Sequence, residues 1–145
     1  MVFHSKMDAY YVKLMITVII VVGLVTLFPI FIEGAPLSAI LILTSIFIIF
    51  TTLFLWLNLS VKYIFYENYL LIKSGPFKSK IPYESITKIT GTHAILTGHG
   101  VLTSRDALEI YNKTTFYGSI KISPEYKSEF IKELKNRGPH IQLEE

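Results

Sequence analysis

Two long uncharged segments dominate the pattern of hydrophobic and polar positions along the chain. Residues 14–32 and 34–61, which are 19 and 28 residues long, carry no charged side chain and are separated only by Glu33. A helix of about 20 apolar residues can cross the hydrocarbon core of a bilayer, whereas a helix in a soluble core rarely needs so many. The pattern therefore predicts a transmembrane helical hairpin over residues 13–61.

The two predicted helices cover about residues 13–32 and 36–59, with a very short turn between them. Tyr10 and Tyr11 precede the first helix and Trp56 lies near the end of the second, where aromatic residues meet the membrane interface. A cleaved signal peptide does not fit, because its apolar region covers only about 7–15 residues and would leave the second segment unexplained. The alternative is a buried helix pair in a soluble protein.

Basic residues near the ends of the two segments predict the orientation of the hairpin. Lys6 and Lys13 precede the first segment, Lys62 follows the second, and the connection contains no Lys or Arg. Since basic residues favour the cytoplasmic side, we expect a multi-pass protein of the bacterial cell (inner) membrane with both termini in the cytoplasm. Residues 1–12 form a cytoplasmic lead that either lies along the membrane interface or packs on the following domain.

From residue 62 onward the pattern changes from continuous to alternating, which is typical of β-strands. We predict a cytoplasmic domain of about six or seven strands over residues 62–138. The strands are expected at residues 61–66, 69–73, 77–82, 107–111 and 115–123, with a further short strand at 94–96. Residues 83–90 allow either one helical turn or a bent strand, because Ile86 and Ile89 lie three positions apart.

The C-terminal part of the domain carries a helix signal. Ser123 suits the N-cap position and Pro124 the first helical position. The predicted amphipathic helix covers about residues 124–137 and is followed by Gly138 and by a tail, residues 139–145, that we expect to be frayed. Its apolar face contains Tyr126, Phe130, Ile131 and Leu134.

Composition and charge narrow the class of protein. Of the 145 residues 51% are hydrophobic and only 17% are charged, so one small domain accompanies the hairpin. No Cys is present, which excludes disulfides and a cysteine nucleophile. The net charge of +3 equals that of residues 62–145, where twelve Lys or Arg stand against nine Asp or Glu. Anionic lipid head groups, which attract each nearby basic residue by about 1 kcal/mol, account for this excess better than nucleic acid does.

A stretch rich in Gly and Thr contains the residue types that most often carry chemistry. His93 and His99 lie six positions apart without a Cys or a neighbouring carboxylate, which is a poor spacing for a metal site. His99, Ser104 and Asp106 are the residue types of a hydrolase triad, but no Gly-x-Ser-x-Gly turn presents the serine. We therefore expect a non-enzymatic protein with no catalytic residue, cofactor or metal.

Four lysines form the best candidate binding surface. Lys62 directly follows the second apolar segment, and Lys73, Lys78 and Lys80 lie in the first predicted strands. The period of two places Lys78 and Lys80 on one face of their strand. We predict that these four lysines contact membrane lipids or a protein partner. The alternative is that they are solvated positions on the strand faces.

The order of the predicted elements, strands followed by one amphipathic helix, is that of a pleckstrin-homology (PH)-like fold. Several stretches of the chain resemble a family of small bacterial membrane-anchored PH-like proteins, the YyaB-like group. These stretches are FHSK at 3–6, YENYLLIKSG at 66–75, IPYESI at 81–86, ISPE at 122–125 and FIKELK at 130–135. The resemblance covers nearly the whole chain. It implies an α+β membrane protein in which the two-helix hairpin precedes a PH-like β-barrel or sandwich capped by the C-terminal helix.

The resemblance also implies a class of function. Bacteriocin self-immunity proteins such as the sublancin immunity protein SunI share this layout of two spans and a cytoplasmic PH-like domain. We therefore expect a non-enzymatic binding protein at the membrane. The resemblance implies that this protein protects its host from a peptide toxin. The alternatives are an accessory or assembly subunit of a larger membrane protein complex and a module that binds anionic lipids. The expected partners are membrane lipids, a peptide toxin or a membrane protein, and not nucleic acid.

Overall fold

The computed structural model describes residues 1–92, 100–101 and 103–144. The helices within these residues are α1 (Ala9–Leu27), α2 (Leu37–Leu59) and α3 (Lys127–Arg137). The strands are β1 (Val2–His4), β2 (Lys62–Phe65), β3 (Tyr69–Ser74), β4 (Phe77–Pro82), β5 (Ile86–Thr92), β6 (Gly100–Val101), β7 (Ala107–Asn112), β8 (Ser119–Ile122) and β9 (Gln142–Glu144). The predicted strand at 94–96 and the candidate metal ligands His93 and His99 lie outside the described residues.

The first helix begins earlier and ends earlier than the predicted range of 13–32. It starts at Ala9 because the side chain of Asp8 accepts a hydrogen bond from the backbone N–H of Tyr11 at 2.8 Å, which satisfies a free donor of the first turn. The α-helix ends at Leu27 and a 3₁₀ turn follows over Phe28–Phe31. Pro29 lacks the N–H that a continued α-helix would require.

Both long helices are apolar and largely uncovered by the rest of the chain. The segments Ala9–Phe31 and Leu37–Leu59 have mean hydropathies of 2.8 and 2.6 and are long enough to cross a membrane by length and composition. No residue of α2 is buried, and in α1 only Tyr11, Met15 and Gly23 are. A core helix of a soluble protein would instead be mostly covered.

The predicted domain was a barrel or a sandwich, and the strands of the described residues form two sheets without closing into a barrel. The first sheet has the antiparallel order β1-β2-β3-β4, and the second has the order β6-β8-β7-β5-β9. The described residues include no strand pair that joins the two sheets. A 3₁₀ turn at Tyr83–Ser85 separates β4 from β5, so the chain leaves the first sheet before it enters the second. The predicted α+β class is confirmed, and the open choice for residues 83–90 is settled by a helical turn that leads into a strand.

The core lies between the two sheets and α3. Phe130 of α3 is buried with its ring centroid 5.4 Å from that of Phe3, 5.0 Å from that of Phe65 and 5.8 Å from that of Tyr63. Leu134, one turn further along α3, is buried in the same cluster. Alternate residues of the strands face this core, as the period of two requires.

The described residues contain nine strands, among them three that were not predicted: β6, and β1 and β9 at the two ends of the chain. β1 comes from the predicted lead and pairs with β2, His4 lying opposite Lys62. β9 comes from the predicted frayed tail and pairs in parallel with β5, while Ile141 before it is only 2% exposed. Strands of three residues are too short to show an alternating pattern, so the sequence indicates neither of them.

The C-terminal helix starts at Lys127 and not near Pro124. Ser123 does not cap it, because this residue is buried and its Oγ accepts a hydrogen bond from the backbone N–H of Thr103 at 2.9 Å. The N–H of Glu125 donates to the carbonyl of His4 at 2.9 Å, which holds this segment against β1. Tyr126, predicted on the apolar face, is exposed.

The strand predicted at 115–123 begins only at Ser119. The residues before it form a turn held by the side chain of Asn112, whose Oδ1 accepts a hydrogen bond from the backbone N–H of Thr115 at 2.9 Å. Phe116, which the alternating pattern placed in register with Ile120, is therefore 95% exposed at the surface of this turn.

The helical hairpin is an insertion between two neighbouring strands. β1 precedes α1, β2 follows α2, and the two strands pair antiparallel with Phe3 opposite Tyr63. At the base of the hairpin the backbone N–H of Ser5 donates to the carbonyl of Val61 at 3.3 Å. The two ends of the hairpin consequently lie side by side.

Candidate functional site

The four lysines predicted as a binding surface lie on the outer face of the first sheet. Lys62 on β2 is directly opposite Lys73 on β3, and Lys73 is opposite Lys78 on β4. Lys80, two residues beyond Lys78, points to the same side and lies opposite Leu71. The structure thus brings three of the four into one row across three strands.

This row of Lys62, Lys73 and Lys78, here called the lysine row, has no acidic partner among the described residues. The ion pairs of that part of the chain involve other cations. Lys80 differs, because its ammonium lies 5.3 Å from the centre of the Tyr69 ring. Like charges directly opposite on neighbouring strands destabilise a sheet. The lysine row is therefore a concentrated positive charge that the domain itself does not neutralise.

Hydrogen bonds join the end of α2 to the turn between β3 and β4. The hydroxyl of Ser74 donates to the carbonyl of Leu57 at 2.8 Å, and the backbone N–H of Gly75 donates to Oγ of Ser60 at 2.9 Å. Gly75 has a φ of +55°, and a Cβ there would come within 3.0 Å of the Leu57 side chain. Only a glycine allows the turn to approach the helix this closely.

A cavity of about 240 Å³ opens where the helix, β2 and this turn meet. Its lining consists of Trp56, Ser60, Lys62, Lys73 and Gly75. Two members of the lysine row therefore belong to a concave site. Sequence reasoning identified the lysines but missed Ser60 and Gly75, although the Ser-Gly-Pro break after Lys73 is a signal for a turn at that point.

Exposed aromatic side chains surround the same end of the domain. Trp56 is 53% exposed on the last turns of α2, and Phe77 is 67% exposed at the start of β4. Phe77 lies directly before Lys78 of the lysine row. Aromatic and basic side chains side by side are the combination found at membrane interfaces.

A second joint ties the start of α1 to the domain. Asp8 accepts hydrogen bonds from the backbone N–H of Arg105 at 2.8 Å and from the hydroxyl of Ser104 at 3.1 Å, in addition to capping α1. Burial acts to raise the pKa of Asp8, but the N–H groups of Arg105 and Tyr11, the Ser104 hydroxyl and the Arg105 charge lower the pKa overall. Ser104, one member of the candidate hydrolase triad, is thus buried in a structural role.

Asp106, the acidic member of that triad, also joins separate elements of the domain. Asp106 accepts from the ammonium of Lys127 at 3.0 Å and from that of Lys6 at 3.4 Å. The hydrogen bond from Lys127 is the main cause of a lowered pKa for Asp106, and Lys6 adds to it against the opposing effect of burial. Asp106 therefore links the N-terminal segment to the start of α3.

A cluster of hydroxyls lies beneath this second joint. Ser5, Tyr63, Thr103 and Ser123 share hydrogen bonds, and all but Ser5 are buried. The Tyr63 hydroxyl accepts from the backbone N–H of Ser123 at 3.1 Å, and burial raises the pKa of Tyr63. The cluster satisfies its own polar atoms and holds the end of β1 on the second sheet.

Comparison with known proteins identifies the family. Residues 61–138 match the family described as "Bacterial PH domain" and make up more than half of the chain. The chain belongs to this family. In sequence the PH domain therefore runs from the start of β2 to the end of α3, and β1 and the hairpin lie outside the matched residues.

One relative extends the likeness beyond the PH domain. The chain is 30% identical over 144 residues to "Uncharacterized protein YyaB" of Bacillus subtilis (strain 168), a match that covers 97% of this chain and 95% of that protein. The predicted YyaB-like family is confirmed. No solved structure matches the chain. The likeness to bacteriocin immunity proteins gains no support from these comparisons.

Proposed function

We propose that the protein is a non-enzymatic binding module anchored in the bacterial cell membrane, whose lysine face engages anionic lipids at the cytoplasmic surface. One observation carries the proposal. The lysine row, without acidic partners among the described residues, lies directly at the end of a 23-residue apolar helix. A membrane that holds α2 brings anionic head groups to these lysines, each worth about 1 kcal/mol near the surface.

Three features support membrane anchoring. The helices of the hairpin are long and apolar enough to span a bilayer, and very few of their residues are buried by protein. An uncovered apolar surface of this size is unfavourable in water. Because β1 pairs with β2, both ends of the hairpin must emerge on one side, and Lys6, Lys13 and Lys62 favour the cytoplasm for that side.

Labelling of single cysteines tests this placement. The chain has no Cys, so Glu33→Cys in the hairpin turn and Glu67→Cys between β2 and β3 each create one exposed thiol. In intact cells we expect a membrane-impermeant maleimide to label Glu33→Cys at once and Glu67→Cys only after permeabilisation. Labelling of Glu67→Cys in intact cells, or recovery of the protein in the soluble fraction, would contradict the proposed orientation.

The single tryptophan reports on the lipid contact. Trp56 lies beside the lysine row, and full-length protein in vesicles of brominated phosphatidylcholine should show quenched fluorescence. Unbrominated phosphatidylglycerol should relieve the quenching at lower mole fractions than unbrominated phosphatidylcholine does. Replacement of Lys62, Lys73, Lys78 and Lys80 by Gln should remove this difference. Equal relief by the two lipids in the wild-type protein would reject anionic lipid binding.

The other functions that the resemblance implied stay predictions. Bacteriocin self-immunity and a role as an accessory subunit of a membrane complex both require a protein or peptide partner. The matched relative is described only as uncharacterized and points to neither. Among the described residues no group of three or more His, Asp or Glu gathers as a metal site would require.

A further inference from the structure

We propose that the cavity lined by Trp56, Ser60, Lys62, Lys73 and Gly75 is a seat for the phosphate group of one net-anionic phospholipid. This inference rests on the proposed function and makes it more specific. It assigns the binding to one concave site, built partly by the membrane helix and partly by the PH domain, instead of to the whole lysine face.

The charges in the cavity favour a single anionic group. Lys62 and Lys73 are direct cross-strand neighbours, and neither has an acidic partner among the described residues. Two ammonium groups at neighbouring positions repel each other, and an anion between them removes that repulsion. A phosphate oxygen pair offers one acceptor to each lysine.

Two of the carbonyl groups at the helix end already accept hydrogen bonds. A helix C-terminus carries partial negative charge on its last carbonyl groups. In α2 the carbonyl of Trp56 accepts from the backbone N–H of Ser60 at 3.2 Å, and that of Leu57 accepts from the hydroxyl of Ser74 at 2.8 Å. The first bond is the C-cap of the helix and the second comes from the β3–β4 turn, so these two acceptors are occupied before an anion binds.

The frame of the cavity is held in place before any ligand arrives. The Oγ of Ser60 accepts a hydrogen bond from the backbone N–H of Gly75. This bond joins the wall formed by the helix to the wall formed by the turn. A site that is already formed binds without the cost of ordering its walls. At about 240 Å³ the cavity is smaller than the roughly 300–1,000 Å³ of sites for drug-sized ligands, and it suits a head group better than a larger molecule.

The position of the cavity at the end of the apolar helix favours a membrane lipid as the source of the phosphate. Trp56 belongs to the last turns of the apolar helix, and Lys62 comes three residues after its end. A phospholipid in the same leaflet therefore reaches the cavity with its chains still in the bilayer. Such a lipid is present at high local concentration, which a free phosphate compound in the cytoplasm is not.

Matched lysine substitutions separate this seat from diffuse attraction. Lys62→Gln and Lys73→Gln change the cavity, whereas Lys78→Gln and Lys80→Gln remove the same charge from the same face outside it. With the Trp56 quenching measurement on full-length protein, we expect each control to need about fivefold more phosphatidylglycerol for the same recovery, the loss of one diffuse charge near the surface. Each cavity variant should need at least about fivefold more than the controls, because it also loses a charge-assisted hydrogen bond to the phosphate. Native mass spectrometry should show one retained phosphatidylglycerol on the wild type and on both controls, and none on the cavity variants.

The outcomes distinguish the two proposals. Equal losses for all four variants, with the preference for phosphatidylglycerol intact in the wild type, would overturn the seat and leave the proposed function standing. No preference in the wild type would overturn both. Thermal unfolding of each variant in detergent checks that the fold is unchanged before the comparison is made.

A competition experiment with inorganic phosphate tests whether the ligand is a lipid or a free anion. Millimolar inorganic phosphate, added against sodium chloride of the same ionic strength, should leave the phosphatidylglycerol curve unchanged. A shift of that curve by phosphate alone would show that the site takes the free anion, and the assignment to a lipid would be wrong.

Discussion

The carboxylate of Asp8 accepts a hydrogen bond from the backbone N–H of Arg105 at 2.8 Å. Its other oxygen caps α1 through the N–H of Tyr11, also at 2.8 Å. One side chain therefore fixes the first apolar helix to the segment that leads into β7. Together with the contacts of Ser60 and Ser74 at the end of α2, it joins the hairpin to the domain at both helices.

Replacing Asp8 should weaken this joint and its response to acid. Asp8→Ala removes an N-cap, worth about 0.5–2 kcal/mol, together with the acceptor for Ser104 and Arg105. Because the pKa of Asp8 is lowered on folding, its stabilisation is complete above the ordinary value of 3.8 and is lost as the pH falls through the lower folded value.

Thermal unfolding in mild detergent measures both effects. We expect a lower Tm for Asp8→Ala at pH 7 and a smaller further loss below pH 4 than the wild type shows. Part of the acid sensitivity should persist, because the pKa of Asp106 is lowered as well, chiefly by Lys127. Glu67→Ala, at an exposed turn, is the control and should leave the Tm unchanged.

The first strand should be essential for the core of the domain. Phe3 is 6% exposed and packs edge-to-face on Phe65 and Phe130. Phe3→Ala should lower the free energy of unfolding by about 3–5 kcal/mol, as truncation of a buried aromatic ring does. Val2→Ala, at an exposed neighbouring position, should cost less than about 0.5 kcal/mol. Equal Tm values for the two variants would show that the strand does not contribute to the core.

A disulfide should form between the strands that flank the hairpin. Val2 and Ile64 are directly opposite on the outer face of β1 and β2. Opposed Cα atoms in an antiparallel pair lie about 4.5–5.5 Å apart, within the range that a disulfide spans. The double variant Val2→Cys with Ile64→Cys should form a disulfide under oxidising conditions. It should then have no free thiol for maleimide-polyethylene glycol and show no shift on a gel. Val2→Cys with Lys80→Cys, about 14 Å apart across three strand spacings, should remain fully modified.

The glycine of the β3–β4 turn should be sensitive to a single methyl group. Gly75 and Gly34 both have positive φ values, +55° and +84°, so an Ala costs about 1–2 kcal/mol of backbone strain at either position. Only at Gly75 does the added Cβ meet another side chain, that of Leu57 at 3.0 Å. We expect Gly75→Ala to lower the Tm more than Gly34→Ala does. A larger decrease in Tm for Gly34→Ala would contradict the close contact between this turn and Leu57 of α2.

The sequence predicted the parts of the fold whose signal is local and repeated. The apolar helices follow from two uninterrupted runs, β4 and β7 follow from alternation, and β3 follows as the partner of β2 in a predicted hairpin. β1 and β9 have three residues each and exist because of their neighbours in the sheet. Ser123 is a residue type that often caps helices, but its Oγ accepts a hydrogen bond from Thr103. The nearby backbone N–H of Glu125 donates to β1 instead of being capped.

The candidate site was predictable only in part for the same reason. The period of two places Lys78 and Lys80 on one face, and strand pairing then adds Lys73 and Lys62. The cavity depends on contacts that no periodicity encodes: Ser60 meets Gly75 across fifteen positions of sequence. It also depends on Trp56, which the sequence indicates as an interface residue without relating it to the lysines.

The insertion of the hairpin between paired strands has a consequence for biosynthesis. β1 is synthesised before the two apolar helices, and its partner β2 is synthesised after them. In the proposed membrane placement, the first sheet can be completed only when both helices have inserted and the chain has returned to the side on which it entered. A chain that inserted one helix alone would strand Phe3 across the membrane from Phe65 and Phe130, leaving an unfinished domain open to proteolysis. In that placement, pairing of β1 with β2 depends on correct insertion of both helices.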